Sequence, residues 1–287
     1  MLALFAGIVL FSTIEVASKL MQTGGGIAGR YPFWMASLRF IIAGLVLLIP
    51  SVLALRGKSF SGKDAAALAG LGLLGVTLMS SLYHLSITCL PANVAALVFS
   101  CNPVFVVLFA PLILSEKITA RKLAAAALCL TGIGVLAHGR AAGVSLLGLI
   151  LMLAAIIIFA LYTVLFKKMT PRYGALPITG FAGLIGGLCI LPLAFITEGM
   201  PLATYGTVDW VSMAYLSLIG TALGYFLFIY GIGHVEAGVG SMAFFLKPFL
   251  AALFAWMVLG EALTAPMFIG GAFILGGMVV ALVPVKR

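Results

Sequence analysis

The sequence predicts an all-α membrane protein, and three observations lead to this fold class. Hydrophobic residues make up 64% of the 287 residues and charged residues 8%, with a mean hydropathy of +1.29. A water-soluble domain carries about 25% charged residues, so this chain cannot cover a globule in water. Residues 146–166 are apolar on every face, whereas the strands of a β-barrel would alternate apolar and polar side chains.

Glycine, proline and charged residues divide the chain into ten apolar segments, each close to the ~20 residues that a membrane-crossing helix requires. The segments are residues 2–22, 32–55, 64–87, 91–114, 119–138, 144–166, 177–197, 209–231, 236–259 and 264–284. The loops between them are short and leave no room for a soluble domain. We interpret the first segment as a retained helix, because Glu15 and Lys19 interrupt it where a signal peptide would be uniformly apolar.

Positive charges predict the orientation of these segments. If successive segments cross the membrane in alternating directions, eleven lysines and arginines lie on one side of the membrane and three on the other, while Arg39 and Lys247 fall within segments. Because short cytoplasmic loops collect lysine and arginine, both termini are predicted to be cytoplasmic. The net charge of +9 is therefore a topology signal with some attraction to anionic lipid headgroups, and it does not indicate nucleic-acid binding.

The two halves of the chain are similar when the sequence is shifted by 145 residues. Residues 102–119 and 247–264 then share 7 of 18 positions. The identities that hydrophobic bias does not explain are Pro103/Pro248, Glu116/Glu261 and Thr119/Thr264. Each half holds five segments, and this odd number places the second half upside down relative to the first. We therefore predict two inverted five-helix repeats, residues 1–141 and 142–287.

The composition also excludes several classes of function. The chain has seven acidic residues, three histidines and four cysteines without CxxC spacing, so we expect no metal site and no disulfide framework. It has no ATP-binding motif, which excludes an ATP-driven pump. It lacks the paired aspartates or the serine motif of an intramembrane hydrolase. The protein is therefore predicted not to be an enzyme and to carry no cofactor.

These features resemble the drug/metabolite transporter superfamily, in its ten-helix EamA-type branch of duplicated five-helix units. The resemblance is carried by Leu38-Arg39-Phe40, by the proline-bearing fourth and ninth segments with Glu116 and Glu261, and by Tyr162 to Lys168. The first segment departs from the family, since it reads Phe11 to Glu15 where a Trp-Gly-Ser-Asn kind of segment is frequent. The resemblance implies export of amino acids and related metabolites across a bacterial inner membrane, with similarity to aromatic amino-acid exporters.

Lys247 is the strongest candidate for a substrate-binding residue. It falls near the bilayer midplane, where a charged side chain costs at least about 2.5–3.5 kcal/mol. Two explanations stay open: it meets a substrate carboxylate in a water-filled cavity, or it pairs with Glu15 and holds helices together. Asn102 is its equivalent in the first half and is also followed by proline. It is either a hydrogen-bonding ligand or a contact between helices.

Aromatic residues at the same depth predict a wall around these polar groups. A mid-span tyrosine hydroxyl needs a hydrogen-bond partner, so we expect such tyrosines to face a cavity rather than lipid. The predicted aromatic lining is Tyr83, Phe99, Tyr162, Tyr225, Tyr230, Phe244 and Phe245. A cavity of this kind with a cation at its centre suits a zwitterion with an apolar side chain.

Three further titratable residues are candidates for coupling or structural roles. Glu15 falls mid-span, which makes it the candidate for proton coupling, although pairing with Lys19 four residues later would make it structural. Arg39 lies about two turns into its segment, so its side chain can snorkel, and the family resemblance implies a structural or gating role. His84 is interpreted as a hydrogen-bonded core residue or a proton relay.

The sequence thus predicts a secondary transporter whose two units rock around a midplane cavity by alternating access. The predicted substrates are small amphipathic metabolites, amino acids first, with an aromatic or bulky apolar subset favoured. A multidrug or other metabolite carrier of the same superfamily is the alternative, and an intramembrane enzyme is a further one. The expected partners are a small-molecule substrate and membrane lipids, while the oligomeric state stays open and is compatible with a monomer.

Overall fold

The computed structural model describes residues 2–23, 26–56, 61–114, 120–138, 144–227 and 246–282. These residues are almost entirely helical and include no β-strand. The helices are α1 Leu2–Ser12, α2 Ile14–Thr23, α3 Pro32–Leu55, α4 Gly62–Gly72, α5 Met79–Cys89, α6 Ala92–Phe99, α7 Asn102–Leu114, α8 Ala120–His138, α9 Leu146–Tyr173, α10 Ala175–Glu198, α11 Thr207–Ala214, α12 Lys247–Leu259 and α13 Ala265–Leu282.

Seven helical stretches among the described residues are long and apolar enough to cross a membrane. They are Phe5–Thr23, Pro32–Leu55, Gly62–Cys89, Ala92–Ile113, Leu146–Tyr173, Ala175–Glu198 and Thr207–Leu227. Three shorter apolar helices, Leu123–Leu136, Lys247–Leu259 and Ala265–Val280, lie in the fifth, ninth and tenth predicted segments. The prediction of an all-α multi-pass membrane protein is confirmed, and the described residues supply seven full-length spans where ten were predicted.

Large apolar side chains cover the outside of the helix bundle. Leu45 and Ile49 on α3 are 52% and 71% exposed, and Ile196 on α10 is 82% exposed. A soluble monomer rarely exposes apolar patches of this extent. In a bilayer the same side chains contact lipid tails, while the helices satisfy their own backbone hydrogen bonds.

Four of the spans are interrupted rather than straight, one of them between α6 and α7 at residues 100–101. The π-helical turn Leu73–Leu78 joins α4 to α5, and a second one, Tyr215–Leu223, follows α11. The first span breaks at Thr13, whose hydroxyl donates to a carbonyl one turn earlier and lies 2.8 Å from the Tyr215 hydroxyl. Such interruptions release backbone polar groups and are frequent at functional sites. Here they fall next to the cavity described below.

Glutamates from neighbouring helices cap two helix N-termini. Glu198, the last residue of α10, accepts two hydrogen bonds from the first turn of α3, both at 3.0 Å. Glu261, which follows α12, accepts two from the first turn of α6, at 2.7 and 2.9 Å. The first N–H groups of a helix have no partner within the helix, and its dipole favours a negative charge there. Each glutamate therefore ties one helix end to a neighbour.

Two pairs of corresponding helices in the two halves begin 145 residues apart. The pairs of first residues are Gly62 and Thr207 for α4 and α11, and Asn102 and Lys247 for α7 and α12. The caps correspond as well. Asp64 accepts a hydrogen bond from Ser61 N at 2.7 Å, and Asp209 accepts one from Gly206 N at 2.9 Å. The same local signals therefore start equivalent helices in both halves.

Two pairs of corresponding helices also pack on each other, α3 on α10 and α8 on α13. Glycine allows the close approach in the second pair. A Cβ atom on Gly132 would lie 2.6 Å from Gly270 O, and one on Gly277 would lie 2.7 Å from Ala125 O. A real Cβ does not fit at these distances, so the two helix backbones meet here without intervening side chains.

Candidate functional site: a charged aromatic cavity

Helices from both halves of the chain line a cavity of about 80 Å³ inside the bundle. Its walls are largely aromatic and consist of Phe11, Phe40, Tyr83, Phe99, Phe159 and Tyr225. Arg39 on α3 and Lys247 on α12 bring two cations to this aromatic surface. Both side chains are buried, with 4% and 3% of their surface exposed. The arrangement can hold charged and apolar parts of one ligand at the same time.

Lys247 forms a buried ion pair with Glu15. Its Nζ lies 2.7 Å from Glu15 Oε1, and also 4.3 Å from the centre of the Phe99 ring. Of the two explanations that the sequence left open, the structure contains the pairing, while Lys247 still reaches the cavity wall. Glu15 Oε2 makes no hydrogen bond within the described residues, although the Tyr83 hydroxyl lies near the carboxylate.

The backbone explains why Lys247 stands where it does. Lys247 is the first residue of α12, and Pro248 follows it in the first turn. Proline is accepted there because the first N–H groups of a helix have no intrahelical partner. Asn102 starts α7 in the same way, and it is buried with its Oδ1 unpartnered among the described residues. Asn102 is not among the residues that line the cavity.

Arg39 is buried beside the cavity, so the predicted snorkelling to the membrane surface is wrong. Its Nε donates to Thr221 Oγ1 at 2.6 Å, and its Nη1 lies 3.3 Å from His84 Nε2. Thr221 in turn donates to Leu216 O at 2.7 Å, which fixes its hydroxyl as the acceptor for arginine. The guanidinium also lies 5.1 Å from the centre of the Phe40 ring. These contacts hold the guanidinium against α5 and the second π-helical turn.

His84 contributes an uncharged partner to this arrangement. Arginine has only donors, so the contact with Arg39 requires His84 Nε2 to accept and places the imidazole proton on Nδ1. The ring is fully buried, and Nδ1 has no partner among the described residues. The structure thus supports the core hydrogen-bonding interpretation of His84, with Arg39 as its partner.

Among the described residues, the charges around the cavity do not cancel. Glu15 forms an ion pair with Lys247, whereas the hydrogen bonds of Arg39 go to neutral groups, and no carboxylate in the described part of the chain lies within ion-pair distance of it. Glu15 is near enough to interact electrostatically with Arg39 as well. A buried unpaired cation is costly, since burial removes its hydration. The positive charge of Arg39 is therefore available to an anionic group that enters the cavity.

The predicted aromatic lining is found in part. Tyr83, Phe99 and Tyr225 line the cavity, and the first two pack edge to face with ring centres 5.3 Å apart. Tyr162 is buried one layer behind it, stacked on Phe159 with ring centres 5.8 Å apart. Tyr230, Phe244 and Phe245 lie outside the described residues.

Sequence reasoning missed three aromatic wall residues, Phe11, Phe40 and Phe159. Two of them carried a usable signal. Phe159 precedes Tyr162 by three residues, which places both on one helix face, and Phe40 follows a mid-span arginine. Phe11 had no such signal, because it ends the apolar run of residues 2–11, in which nothing distinguishes it from its neighbours.

The expected pairing of Lys19 with Glu15 does not occur. Lys19 Nζ instead donates to Ile87 O, at 3.0 Å, near the end of α5. Glu15 forms its ion pair with Lys247 instead. Lys247 is buried and Lys19 is half-buried, so leaving the Lys247 charge unpaired would cost more free energy. The carboxylate therefore pairs across the bundle rather than along its own helix.

The sequence comparison identifies the family. The EamA-like transporter family model matches the chain twice, over residues 1–137 and 146–283. The chain belongs to this family. Its two matches have nearly the bounds of the two halves related by the 145-residue shift.

The relatives that the chain resembles are transporters. An uncharacterized transporter of Clostridium kluyveri is 28% identical over 95% of this chain and 89% of its own length. A protein of Streptantibioticus cattleyicolor named "probable terminal-alkyne amino-acid exporter" is 25% identical over 96% of this chain and 91% of its own. Protein PecM of Dickeya dadantii is 29% identical over 87% and 82%.

A solved crystal structure shares the fold. It is 22% identical to this chain, covers 98% of it and 95% of its own chain, and superposes with a TM-score of 0.67. The agreement over nearly both full lengths supports the arrangement of helices described above.

Proposed function

We propose that the protein is a ten-helix secondary transporter that exports small amphipathic metabolites, with amino acids as the leading substrates, across the inner membrane. The observation that carries the proposal is the presence of Arg39 and the Glu15–Lys247 pair beside one aromatic cavity. An amino acid brings a carboxylate, an ammonium group and often an apolar side chain. Each of these groups has a complementary surface in the cavity.

In the proposed binding mode Arg39 receives the substrate carboxylate. Its contacts with Thr221 and His84 use two of its five N–H groups, which leaves donors for a charge-assisted pair of hydrogen bonds. The ammonium group faces the Glu15 carboxylate, and the ion pair with Lys247 holds that carboxylate in place. Tyr83 and Phe99 surround the apolar side chain.

The remaining predicted site residues are proposed for supporting roles. Asn102 and Tyr162 lie behind the present wall, and we propose that they reach the substrate when the helices move. Tyr230 and Phe244 are proposed as further aromatic lining. Glu15 is proposed to be mainly structural, through its bond with Lys247.

Alternating access is proposed as the mechanism because the cavity is small. Ligand sites measure about 300–1,000 Å³, several times the volume of about 80 Å³ found here. The cavity must therefore become wider than it is in the described conformation before it can hold a metabolite. The interruptions at Thr13, Leu73–Leu78 and Tyr215–Leu223 adjoin the cavity and supply places where the helices can bend.

We propose that the two units that move relative to each other are inverted repeats, residues 1–141 and 142–287. Helix starts 145 residues apart and one family match in each half support the duplication. Cys129 Sγ lies 3.6 Å from Ile274 O, and these positions are also 145 residues apart. A residue touches its own repeat equivalent only near the axis that relates the repeats. In such an architecture each unit can adopt the other's conformation.

Other observations support the orientation of the protein in the membrane and the direction of transport. The charge asymmetry favours cytoplasmic termini, and the exporter of Streptantibioticus cattleyicolor is named for an amino-acid cargo. The aromatic walls favour a second candidate, a carrier of apolar organic drugs. A drug carrier would not require both charges of a zwitterion, so substrate analogues distinguish the two.

The test is counterflow into proteoliposomes with labelled L-phenylalanine and L-leucine. Phenethylamine, which lacks the carboxylate, and phenylpropionate, which lacks the amine, serve as single-charge analogues. We expect exchange of the amino acids, little exchange of the analogues, and loss of exchange in Arg39→Gln. Arg56→Gln, at the exposed end of the same helix, should exchange normally. Equal transport of phenethylamine would favour the drug carrier, and no exchange of any proteinogenic amino acid would overturn the proposal.

A further inference from the structure

A second and larger cavity, of about 290 Å³, lies where α2, α5 and α12 end and where α6 and α13 begin. Its charged and amide side chains are Lys19, Asn93 and Glu261. By the charge count, this end of the bundle faces away from the cytoplasm. The volume approaches the ~300 Å³ at which ligand sites begin, so a small metabolite fits without a large rearrangement.

Two of these side chains have unused hydrogen-bonding capacity. Lys19 donates one hydrogen bond, to Ile87 O, and its other two N–H groups have no partner among the described residues. Asn93 is 2% exposed, and its amide nitrogen donates to Ala262 O at 3.4 Å. Its Oδ1 is unpartnered within the described part of the chain. A buried carbonyl oxygen without a partner is costly, and a ligand donor would satisfy it.

Glu261 makes the charge of the cavity mixed rather than positive. Its two oxygens accept hydrogen bonds from the N-terminus of α6, at 2.7 and 2.9 Å, where the helix dipole favours a negative charge. Lys19 and Glu261 line the same cavity without forming an ion pair within the described residues. Separated opposite charges of this kind match a ligand that carries both signs.

Helix α2 runs past both cavities. Glu15 stands beside the central cavity and Lys19 lines the second one. Residues four apart on a helix lie on one face, about 6 Å apart along its axis. A zwitterion that leaves Arg39 and Glu15 toward this end of the bundle therefore meets the second cavity next.

We propose that this cavity is a second binding site for zwitterionic amino acids, on the path between the central cavity and the outer face. The carboxylate of the ligand binds the Lys19 ammonium, and its ammonium group binds Asn93 Oδ1 and the Glu261 carboxylate. The assignment rests on the proposed function for its substrate class. It adds a site that is independent of Arg39.

Cys89 provides a natural reporter for occupancy, because it lines the second cavity and is partly exposed. Cys101 and Cys129 are buried, so Cys189→Ser leaves Cys89 as the reactive thiol of the chain. The experiment measures alkylation of Cys89 by a hydrophilic maleimide in nanodisc-embedded protein, with and without each proteinogenic L-amino acid. For each variant, the alkylation rate with amino acid is divided by the rate of the same variant without it, because removing Lys19 itself changes the reactivity of the Cys89 thiol.

We expect at least one amino acid to slow alkylation about tenfold at about ten times its Kd. The protection should persist in Arg39→Gln, and it should disappear in Lys19→Gln and in Asn93→Leu. Lys63→Gln, an exposed lysine on α4, is the matched control and should keep it. The second site is overturned if no amino acid protects Cys89, if Lys19→Gln protein that folds keeps full protection, or if Arg39→Gln abolishes it.

The same protein samples distinguish a failure of the second-site proposal from a failure of the proposed function. Counterflow of an amino acid without protection of Cys89 would remove the second site and leave the transporter. Protection of Cys89 without counterflow of any amino acid would leave the second site and remove amino-acid export.

Discussion

Lys247 Nζ lies 2.7 Å from Glu15 Oε1, and both side chains are withdrawn from the surface, with 4% and 0% exposed. The pair joins residues 232 positions apart and connects the neighbouring helices α2 and α12 beside the cavity. The sequence favoured Lys247 as the carboxylate ligand, but its charge is neutralised by Glu15. In the proposed binding mode the ion pair therefore has a structural role, and Arg39 is the cation that binds the substrate carboxylate.

Breaking the Glu15–Lys247 pair is expected to destabilise the protein strongly. Lys247→Met or Glu15→Gln leaves one buried group without its partner, which costs about 3–5 kcal/mol. The double variant removes both charges and should lose much less stability than the sum of the losses in the two single variants. Unfolding in detergent, monitored thermally and by denaturant, measures the cycle, with Lys63→Gln as the exposed control. Additive losses would mean that the two residues do not interact.

Thr221 is expected to position Arg39 for the substrate. Thr221→Val leaves the arginine Nε without an acceptor at 2.6 Å and should weaken amino-acid binding about tenfold, in line with a loss of ~1–1.5 kcal/mol. Thr221→Ser keeps the hydroxyl and should restore the affinity. Scintillation proximity binding with labelled L-phenylalanine measures both variants. If valine and serine variants bind alike, Thr221 has no positioning role.

Arg39→Lys is expected to rescue little of the binding lost in Arg39→Gln. Lysine restores the charge but not the planar fork that contacts Thr221 and His84 while presenting further donors. We expect both variants to weaken affinity by ~1.5–3 kcal/mol, the range for hydrogen bonds to charged groups. The measurement is the same binding assay, with Arg56→Gln as control. Full affinity in Arg39→Lys would show that charge alone is sufficient.

Glycine substitutions test the packing of α8 on α13. Gly132→Ala and Gly277→Ala place a Cβ 2.6 and 2.7 Å from backbone oxygens of the facing helix, and each should cost about 1–3 kcal/mol through overpacking. Gly134→Ala and Gly276→Ala are the neighbouring controls, since a Cβ there meets nothing within 4 Å. The controls should be neutral or stabilising because alanine favours helix. Similar melting temperatures for all four would contradict the close contact.

The orientation is tested by reporter fusions. Fusions within residues 56–63 and after residue 287 should report cytoplasm, and one near residue 143 should report the outer side, because eleven of fourteen loop cations lie on the predicted inner side. The same location for the fusions near 143 and after 287 would exclude an inverted second half.

The course of most helices was predictable from the sequence because the signals are local. Hydropathy and terminal proline set the second segment at 32–55, and α3 spans Pro32–Leu55. The repeated prolines at 103 and 248 fall in the first turns of α7 and α12, inside segments that were predicted as continuous. The break between α6 and α7 was not predicted, because hydropathy is continuous through it. The same holds for the two π-helical turns, which depend on packing rather than composition.

The sequence by itself determined that the protein is a multi-pass helical membrane protein, and it placed Glu15, Tyr83, Phe99 and Lys247 near the middle of the membrane. Only the tertiary structure decided their partners. Glu15 pairs with Lys247 across the bundle instead of with Lys19 on its own helix, and Arg39 turns inward to Thr221 and His84. The physical reason is that a buried charge takes the partner that best offsets its lost hydration. Which partner lies within reach depends on the helix faces that meet, and sequence separation does not encode this.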